Sequence, residues 1–302
     1  MELDWLEDFL ALVDSGNFSR AAEARNLTQP AFGRRIRALE DWAGAALFDR
    51  STHRIALTPA GDRFRPFAED IVRRVLQGRE EVRHVANVSV ATLKFAATHV
   101  LSWTFFPRWL HSLEDTVRVG PVQLISDTMR GCEAVMRQGQ AQYLLCHHHP
   151  GVPEYLEPDQ FRSIRVGEDL LVPLCAPDAA GAPRHPLPGT PDTPLPHLAY
   201  SQESALGWIV KAGRVGGGQT ASLEPIFTSH LATVLRAVAR DGRGVAWLPL
   251  SLVGEDIAAR QLVRAGGPEW DAQVDIRLFR PRARQTRAAE AFWDALQEAA
   301  GT

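Results

Sequence analysis

The chain has 302 residues, of which 45 % are hydrophobic and 23 % charged, so two or three domains with a large buried core are expected. The net charge is −3, and residues 1–65 hold nine Arg against ten Asp and Glu, which excludes a globally basic N-terminal domain; any contact with nucleic acid must rest on a local patch. No apolar run approaches a bilayer span, the N-terminus lacks the apolar core of a signal peptide, and Cys132, Cys146 and Cys175 are too few for a disulfide framework, so a cytoplasmic protein without a membrane partner is expected.

In chain order, Trp5, Phe9, Leu12 and Val13 recur at helical spacing and predict an amphipathic first helix. Ser19 reads as the N-cap of a helix over Arg20 to Arg25, and Thr28 as the N-cap of a second over Pro30 to Trp42. A break of two residues, Asn26-Leu27, joins them, which is the pattern of a helix-turn-helix. Phe18, Ala22, Leu27, Ile36 and Leu39 can close a small shared core that holds the second helix outward. Ser19 and Arg20 open the first of the pair, and Thr28, Gln29, Pro30, Phe32, Gly33, Arg34 and Arg37 lie along the second. An amide there can read adenine edges, guanidiniums suit guanine or phosphate, and the helix N-terminus itself attracts phosphate. The local run Arg20 to Arg37, with five Arg and one Glu, supplies the basic patch. Leu47 to Arg50 and Ile55 to Leu57 then read as two short strands of a wing, where Arg50, His53 and Arg54 are expected near the backbone of a duplex.

From Thr58 a long helical pattern follows, with Phe64, Phe67, Ile71, Val75, Val82 and Val85 along one side and a mixed-sign exterior. Such a stripe joining two domains predicts a homodimer through this helix. Two symmetry-related recognition helices would read two half-sites, where one reads too few bases.

Beyond Asn87, short apolar strands alternate with helices, which predicts an α/β fold. The strands are expected at Thr92 to Ala97, Val122 to Ile125, Ala141 to Cys146, Leu170 to Cys175, Leu198 to Ser201, Pro225 to Ser229, Val245 to Pro249 and Val274 to Phe279. Helices are expected at Leu101 to Leu113, Thr128 to Gln138, Ser204 to Gly213, His230 to Arg240, Leu250 to Arg260 and Arg284 to Ala300. Seven prolines between Pro177 and Pro196 read as a stiff surface segment. Ligands of open α/β sheets gather at the carboxyl ends of strands near helix N-termini. That rule selects Thr98, His99, Leu101 and Ser102 after the first strand, Ser126, Asp127 and Thr128 after the second, and His147 and His148 after the third. In the following segment it selects Tyr200, Ser201, Ser204, Ser229 and His230.

The run Cys146-His147-His148-His149 has the donor types of a metal site, but adjacent strand residues point to opposite faces and His149-Pro150 begins a turn, so no metal and no cofactor are expected. No nucleophile elbow, phosphate loop or zinc-protease helix is present, and Gly216-Gly217-Gly218 lacks the spacing and Lys of a P-loop, so the chain is not expected to be an enzyme. The competing class is a solute-binding or catalytic α/β protein whose N-terminal helices serve assembly.

Ser-Arg-Ala-Ala-Glu-Ala from Ser19, Thr-Gln-Pro-Ala from Thr28, Arg-Ala-Leu-Glu from Arg37, Leu-Phe-Asp-Arg from Leu47 and Leu-Thr-Pro-Ala-Gly from Leu57 stand in one order and spacing. In that order they resemble the DNA-binding half of LysR-type transcriptional regulators, with one departure, Gly33, where the family usually places Ser. The resemblance implies a winged helix-turn-helix over 1–58, a dimerising linker helix over 59–88 and an effector-binding domain over 89–302 built like a periplasmic binding protein. Its first subdomain would hold about 90–163 and 268–302, and its second about 164–267. It further implies promoter DNA as partner, a small-molecule effector and a tetramer made through the C-terminal domains. Ala-Ala-Thr-His-Val-Leu-Ser from Ala96, Tyr-Ser-Gln-Glu-Ser-Ala-Leu-Gly from Tyr200 and Asp-Gly-Arg-Gly-Val-Ala-Trp-Leu-Pro from Asp241 look like the branch that includes hypochlorite-responsive members. Oxidant sensing needs accessible thioether or thiolate, and apart from the initiator only Met129 and Met136 are present, so a small polar or anionic effector is preferred.

Overall fold

The computed structural model describes residues 1–50, 55–85, 92–113, 120–152, 156–202, 204–216 and 220–300. Two units emerge, Met1–Ala91 with Ala134–Ala141, and Thr92–Glu133 with Gln142–Thr302.

In the first unit, α1 (Leu3–Ser15), α2 (Phe18–Ala24) and α3 (Gln29–Ala43) precede a two-stranded hairpin of β1 (Phe48–Asp49) and β2 (Ala56–Leu57), and α4 (Pro59–Val85) follows. Leu6, Phe9, Leu12, Ile36 and Leu39 are fully buried in their shared core, closed from α4 by Ala68 and Val72. The N-cap of α2 is Asn17, not Ser19: the Asn17 Oδ1 accepts from the backbone N–H of Ser19 at 2.9 Å and of Arg20 at 3.1 Å. Both residue types cap helices, and the extended backbone at Asn17 decides between them.

The family motifs acquire physical reasons here. Glu40 Oε1 accepts from the backbone N–H of Leu47 at 2.9 Å and Phe48 at 3.2 Å, so the Glu ending Arg-Ala-Leu-Glu pins the start of the wing. A Cβ on Gly61 would lie 2.1 Å from the Leu47 carbonyl oxygen, which is why only glycine ends Leu-Thr-Pro-Ala-Gly. The apolar stripe of α4 divides between two faces. Phe64 and Ile71 pack on the core, Phe64 edge-on to Phe9 at 5.3 Å, whereas Phe67, Val75 and Val82 remain 66 %, 46 % and 69 % exposed.

The second unit is built on a seven-stranded mixed sheet. Its strands are β3 (Leu93–Thr98), β4 (Val122–Asp127), β5 (Tyr143–His148), β6 (Phe161–Cys175), β9 (Ala246–Pro249), β10 (Val263–Arg264) and β11 (Ala272–Pro281). β3 pairs in parallel with β4 and β5, β11 runs antiparallel between β5 and β6, and the far half of β6 pairs with β9 and β10. A separate parallel pair is formed by β7 (Leu195–Tyr200) and β8 (Leu223–Ser229).

Two departures from the sequence reading stand out. β6 extends nine residues upstream of the expected start at Leu170, through Arg162, Arg165 and Glu168. Its early half alternates apolar with charged side chains, a weaker signal than the buried run Leu171–Cys175. The single helix expected over Leu101–Leu113 is two, α5 (His99–Thr104) and α6 (Phe106–Ser112), because Pro107 has no N–H to donate back across Phe105 and is accommodated only in the first turn of a new helix.

The remaining helices are α7 (Met129–Arg137), α8 (Ala205–Gly216), α9 (Ala232–Arg240), α10 (Leu250–Ala258) and α11 (Arg287–Ala300). Two apolar clusters flank the sheet: Phe95, Phe106, Tyr143, Phe292 and Trp293 in one, and Leu171, Leu198, Ile209, Leu235 and Trp247 in the other. Among the described residues no helix is long and apolar enough to cross a membrane.

Candidate functional site

The first surface is the exposed side of α3. Thr28 holds an extended backbone with φ −73° and makes no side-chain cap bond, and proline in the first turn leaves little to obstruct approach to the helix start. Thr28, Gln29, Pro30, Arg34 and Arg37 are exposed. Gln29, Pro30, Gly33, Arg34 and Arg37 line one groove whose other wall is Phe18 and Arg50. A Cβ on Gly33 would meet nothing within 4 Å, so packing does not demand glycine there and the backbone is open to an approaching molecule.

The arginine run separates by role. Arg25 Nε donates to Asp8 Oδ1 at 2.8 Å, Arg25 Nη2 to Glu7 at 2.5 Å, and Arg35 Nη1 to Asp8 Oδ2 at 3.3 Å, so these two guanidiniums tie α2 and α3 to α1. Arg50 bonds Glu40 at 2.6 Å and lies 5.5 Å over the Phe18 ring. Among the described residues Arg20, Arg34 and Arg37 are exposed and form no ion pair, which leaves their charge for an external anion. Ser19 is also exposed. Phe32 is a correction: it is fully buried, edge-on to Phe18 at 6.0 Å, because it falls on the inward stripe with Ile36 and Leu39, and its side chain cannot meet a duplex. His53 and Arg54 lie outside the described residues.

The second surface is a cleft in the larger unit where four helices begin. Thr98, His99 and Val100 open α5, Thr128 and Met129 open α7, Ser204 to Leu206 open α8, and His230 and Ala232 open α9. Asp127 and His147 complete the lining. The enclosed space is small, about 40 Å³ open to the centre of a water molecule.

His99 and His230 face each other from separate strand ends, their ring centroids 6.1 Å apart. Behind His99 a polar chain fixes the imidazole: Nδ1 lies 3.0 Å from Ser126 Oγ, Ser126 lies 2.8 Å from Ser102 Oγ, and Ser102 donates to the His99 carbonyl at 2.7 Å. Asp127 is committed to α7. Its Oδ1 accepts from Thr128 N–H at 2.6 Å, and its carboxylate occupies the place a Cβ on Gly131 would need, within 2.3 Å. Thr128 Oγ1 accepts from Gly131 N–H at 3.2 Å.

His147 Nε2 lies 3.4 Å from Asp169 Oδ2, and Asp169 also accepts from Ser251 Oγ at 2.5 Å and from Leu170 N–H at 2.8 Å. Burial would raise the Asp169 carboxyl, but the bonds from His147, Ser251 and Leu170 with the His147 charge outweigh it and hold the group below the ordinary carboxylate range.

Not every strand-end candidate reaches this cleft. Leu101 is a correction: it is fully buried in the core with Phe95 and Phe106, its side chain pointing to the sheet from the inward face of α5. Ser102 and Ser126 stand behind His99, and His148 lines an adjoining cavity. Ser229 Oγ accepts from Leu231 N–H at 3.1 Å in the turn into α9. Tyr200 Oη and Ser201 Oγ lie outside the cleft lining, buried without a hydrogen-bond partner among the described residues, and burial pushes the Tyr200 phenol up.

Strand-end reasoning missed Val100, Met129, Ala205, Leu206 and Ala232, along with Asp169 beneath His147. The apolar five occupy the first turns of the helices that follow the strands, a position that marks them once polarity is dropped as the criterion.

Among the described residues no three His, Cys, Asp or Glu side chains converge as a metal site, and His149 Nδ1 accepts from Gly151 N–H at 3.0 Å in its turn. The three thiols are buried and free of disulfides. Burial pushes Cys132 up to about 12, against the partial relief of its contact with the Asp127 carbonyl. Met136 is fully buried and Met129 is 9 % exposed.

Residues 3–62 match the model of the bacterial regulatory helix-turn-helix protein, lysR family, and residues 86–301 match the LysR substrate binding domain. The HTH-type transcriptional regulator YjiE of Escherichia coli strain K12 is 32 % identical over 300 residues, covering 99 % of this chain and 95 % of that protein. Among solved structures, Vibrio fischeri DarR in complex with DNA is 31 % identical with a TM-score of 0.56, covering 98 % of each chain. Full-length HypT from Salmonella, described as a hypochlorite-specific LysR-type transcriptional regulator, is 29 % identical with a TM-score of 0.57, covering 100 % of this chain and 99 % of that one.

Proposed function

This chain belongs to the LysR family of bacterial transcriptional regulators, and from that premise we propose that Gln29 and Arg34 on α3 read base edges in a major groove of promoter DNA while Arg20 and Arg37 hold phosphates. The observation that carries this is the groove of Gln29, Pro30, Gly33, Arg34 and Arg37, whose two guanidiniums have no internal anion among the described residues while Arg25 and Arg35 have one. Ser19 and Thr28 hydroxyls, Arg50 and the wing residues His53 and Arg54 add backbone contacts in this reading. The protein acts where the chromosome is, in the cytoplasm.

Phe67, Val75 and Val82 form an exposed apolar line on α4 that a second copy of the chain covers, giving a dimer with two recognition helices. Pairing of dimers through the effector domains makes the tetramer. The effector is a small anion held in the cleft by the amide-rich starts of α7, α8 and α9 and by His99 and His230. Its unequal affinity for two arrangements of the domain shifts how the recognition helices are held.

Binding-site selection with Gln29→Ala tests the DNA reading. Discrimination at one or two base pairs per half-site falls by about 1–3 kcal/mol, with the elution volume of the dimer unchanged; an unaltered site preference removes Gln29 from base reading. Wild-type affinity also drops steeply as salt rises, as counterion release requires.

Oxidant sensing is the second reading, favoured by the likeness to the hypochlorite-specific Salmonella protein. Against it stand the buried Cys132, Cys175 and Met136, which offer hypochlorite little reactive surface, whereas Met129 and Cys146 line the cleft and its neighbour.

A further inference from the structure

The cleft continues into a second compartment. Met129, His147 and Ala205 line both, so the two spaces share a wall and differ in what lies beyond it. The second offers about 30 Å³ open to the centre of a water molecule. Cys146, His148 and His149 also line it, and the rest of its wall is apolar, made by Val152, Leu156, Ile209 and Phe279, of which Leu156, Ile209 and Phe279 are 2 %, 1 % and 5 % exposed. Along that apolar wall methylene groups gain dispersion contacts.

The first compartment restricts charge. Its described lining contains no Arg or Lys, so a bound anion is offset by helix-start amides and imidazoles, and Asp127, whose carboxylate accepts from Thr128 N–H beside the start of α7, repels a second acid group. One carboxylate is therefore favoured over two. Met129, unbranched and with three rotatable side-chain bonds, can swing aside at the shared wall without strain.

Building on the anionic-effector reading above, we propose that the effector is an amphipathic monocarboxylate. Its head lies between His99 and His230, and a short apolar tail passes Met129 and His147 to end against Ile209 and Val152. The cleft selects for chain length as well as charge.

Calorimetric titration of the full-length protein with acetate, butanoate, pentanoate and hexanoate tests this. Affinity rises about four-fold per added methylene, the equivalent of about 0.8 kcal/mol, until the second compartment is full. Val152→Phe fills that compartment from its half-buried rim and flattens the series while acetate binding is retained. Ala205→Val, which narrows the passage instead, gives the same flattening and serves if Val152→Phe melts early. A flat series in the wild type, or an unchanged slope in both variants, overturns the tail assignment while leaving the anionic head in place. Failure of every acid to bind overturns the anionic-effector reading itself. Glutarate, a diacid of similar length, binds more weakly than pentanoate, and tighter glutarate binding would overturn the single-charge assignment.

Discussion

Replacing Asp8 by alanine destabilises the helix-turn-helix unit by about 3 kcal/mol and removes DNA binding at physiological temperature. Asp8 has no solvent-exposed side-chain surface, and its two oxygens receive Arg25 from α2 and Arg35 from α3. It is the charge at which three helices meet. Deleting it leaves two partly buried guanidiniums facing one another beside an apolar core. Glu7 at 2.5 Å from Arg25 and Asp4 at 3.4 Å from Arg35 compensate in part, so the expected loss lies at the low end for a broken buried pair. Domains of this size hold only about 5–15 kcal/mol in total, and a loss of this order populates unfolded helices at the surface that must be rigid. Calorimetric melting of the whole chain checks it: the early transition moves down and the effector-domain transition stays. A shift corresponding to less than about 1 kcal/mol would place Asp8 among ordinary surface pairs. Arg20→Ala, by contrast, leaves both transitions where they are.

The second large effect concerns Arg280, which is 1 % exposed and bonded through both terminal nitrogens to Glu290, at 2.9 and 2.6 Å. The pair joins β11 to the first turn of α11, and the guanidinium also lies 5.4 Å over the Trp293 ring. Glu290 further accepts from Gln285 N–H at 2.5 Å, so it closes the loop leading into the helix. Glu290→Ala leaves a buried cation without its counter-charge and costs about 3–5 kcal/mol; Glu290→Gln keeps the shape and loses less.

The same pair sets a pH dependence. The Arg280 hydrogen bonds, outweighing burial, hold the Glu290 carboxyl below its ordinary value in the fold. The unfolded chain therefore takes up the proton first as acid is added. The pair's stabilisation is complete above the unfolded glutamate value and is lost as pH falls through the lower folded one. Urea melts of wild type and Glu290→Gln should converge as pH drops from neutral through the ordinary carboxylate range and below it. Parallel curves over that range would remove the pair as the source.

Local chemistry was legible in the residues themselves. The break at Asn26-Leu27, the cap at Thr28 and the apolar stripe of α3 are decided within one or two turns, so spacing alone located that helix. Glu40 and Gly61 stood in the motifs, but the backbone amides and carbonyl that need them became visible only with the hairpin folded back. Phe32 and Leu101 were misassigned because a residue beside a contact surface has the same neighbours in sequence whether it faces outward or inward. The stripe of α4 read as one face and is two, since Phe64 and Ile71 find a partner in their own domain while Phe67 and Val75 do not.

By itself the sequence determined that a helix-turn-helix opens the chain, which α3 residues are polar, and that the C-terminal part alternates α with β. Those properties follow from backbone propensity and periodicity over a few residues. Only the tertiary structure decided which arginines are occupied by Asp8, that His99 meets His230 across more than a hundred residues of chain, and that apolar first-turn side chains join the polar cleft to a second space. Convergence of that kind depends on how helix starts that follow strands of two separate sheets are brought to one cleft, and no local pattern of residues encodes it.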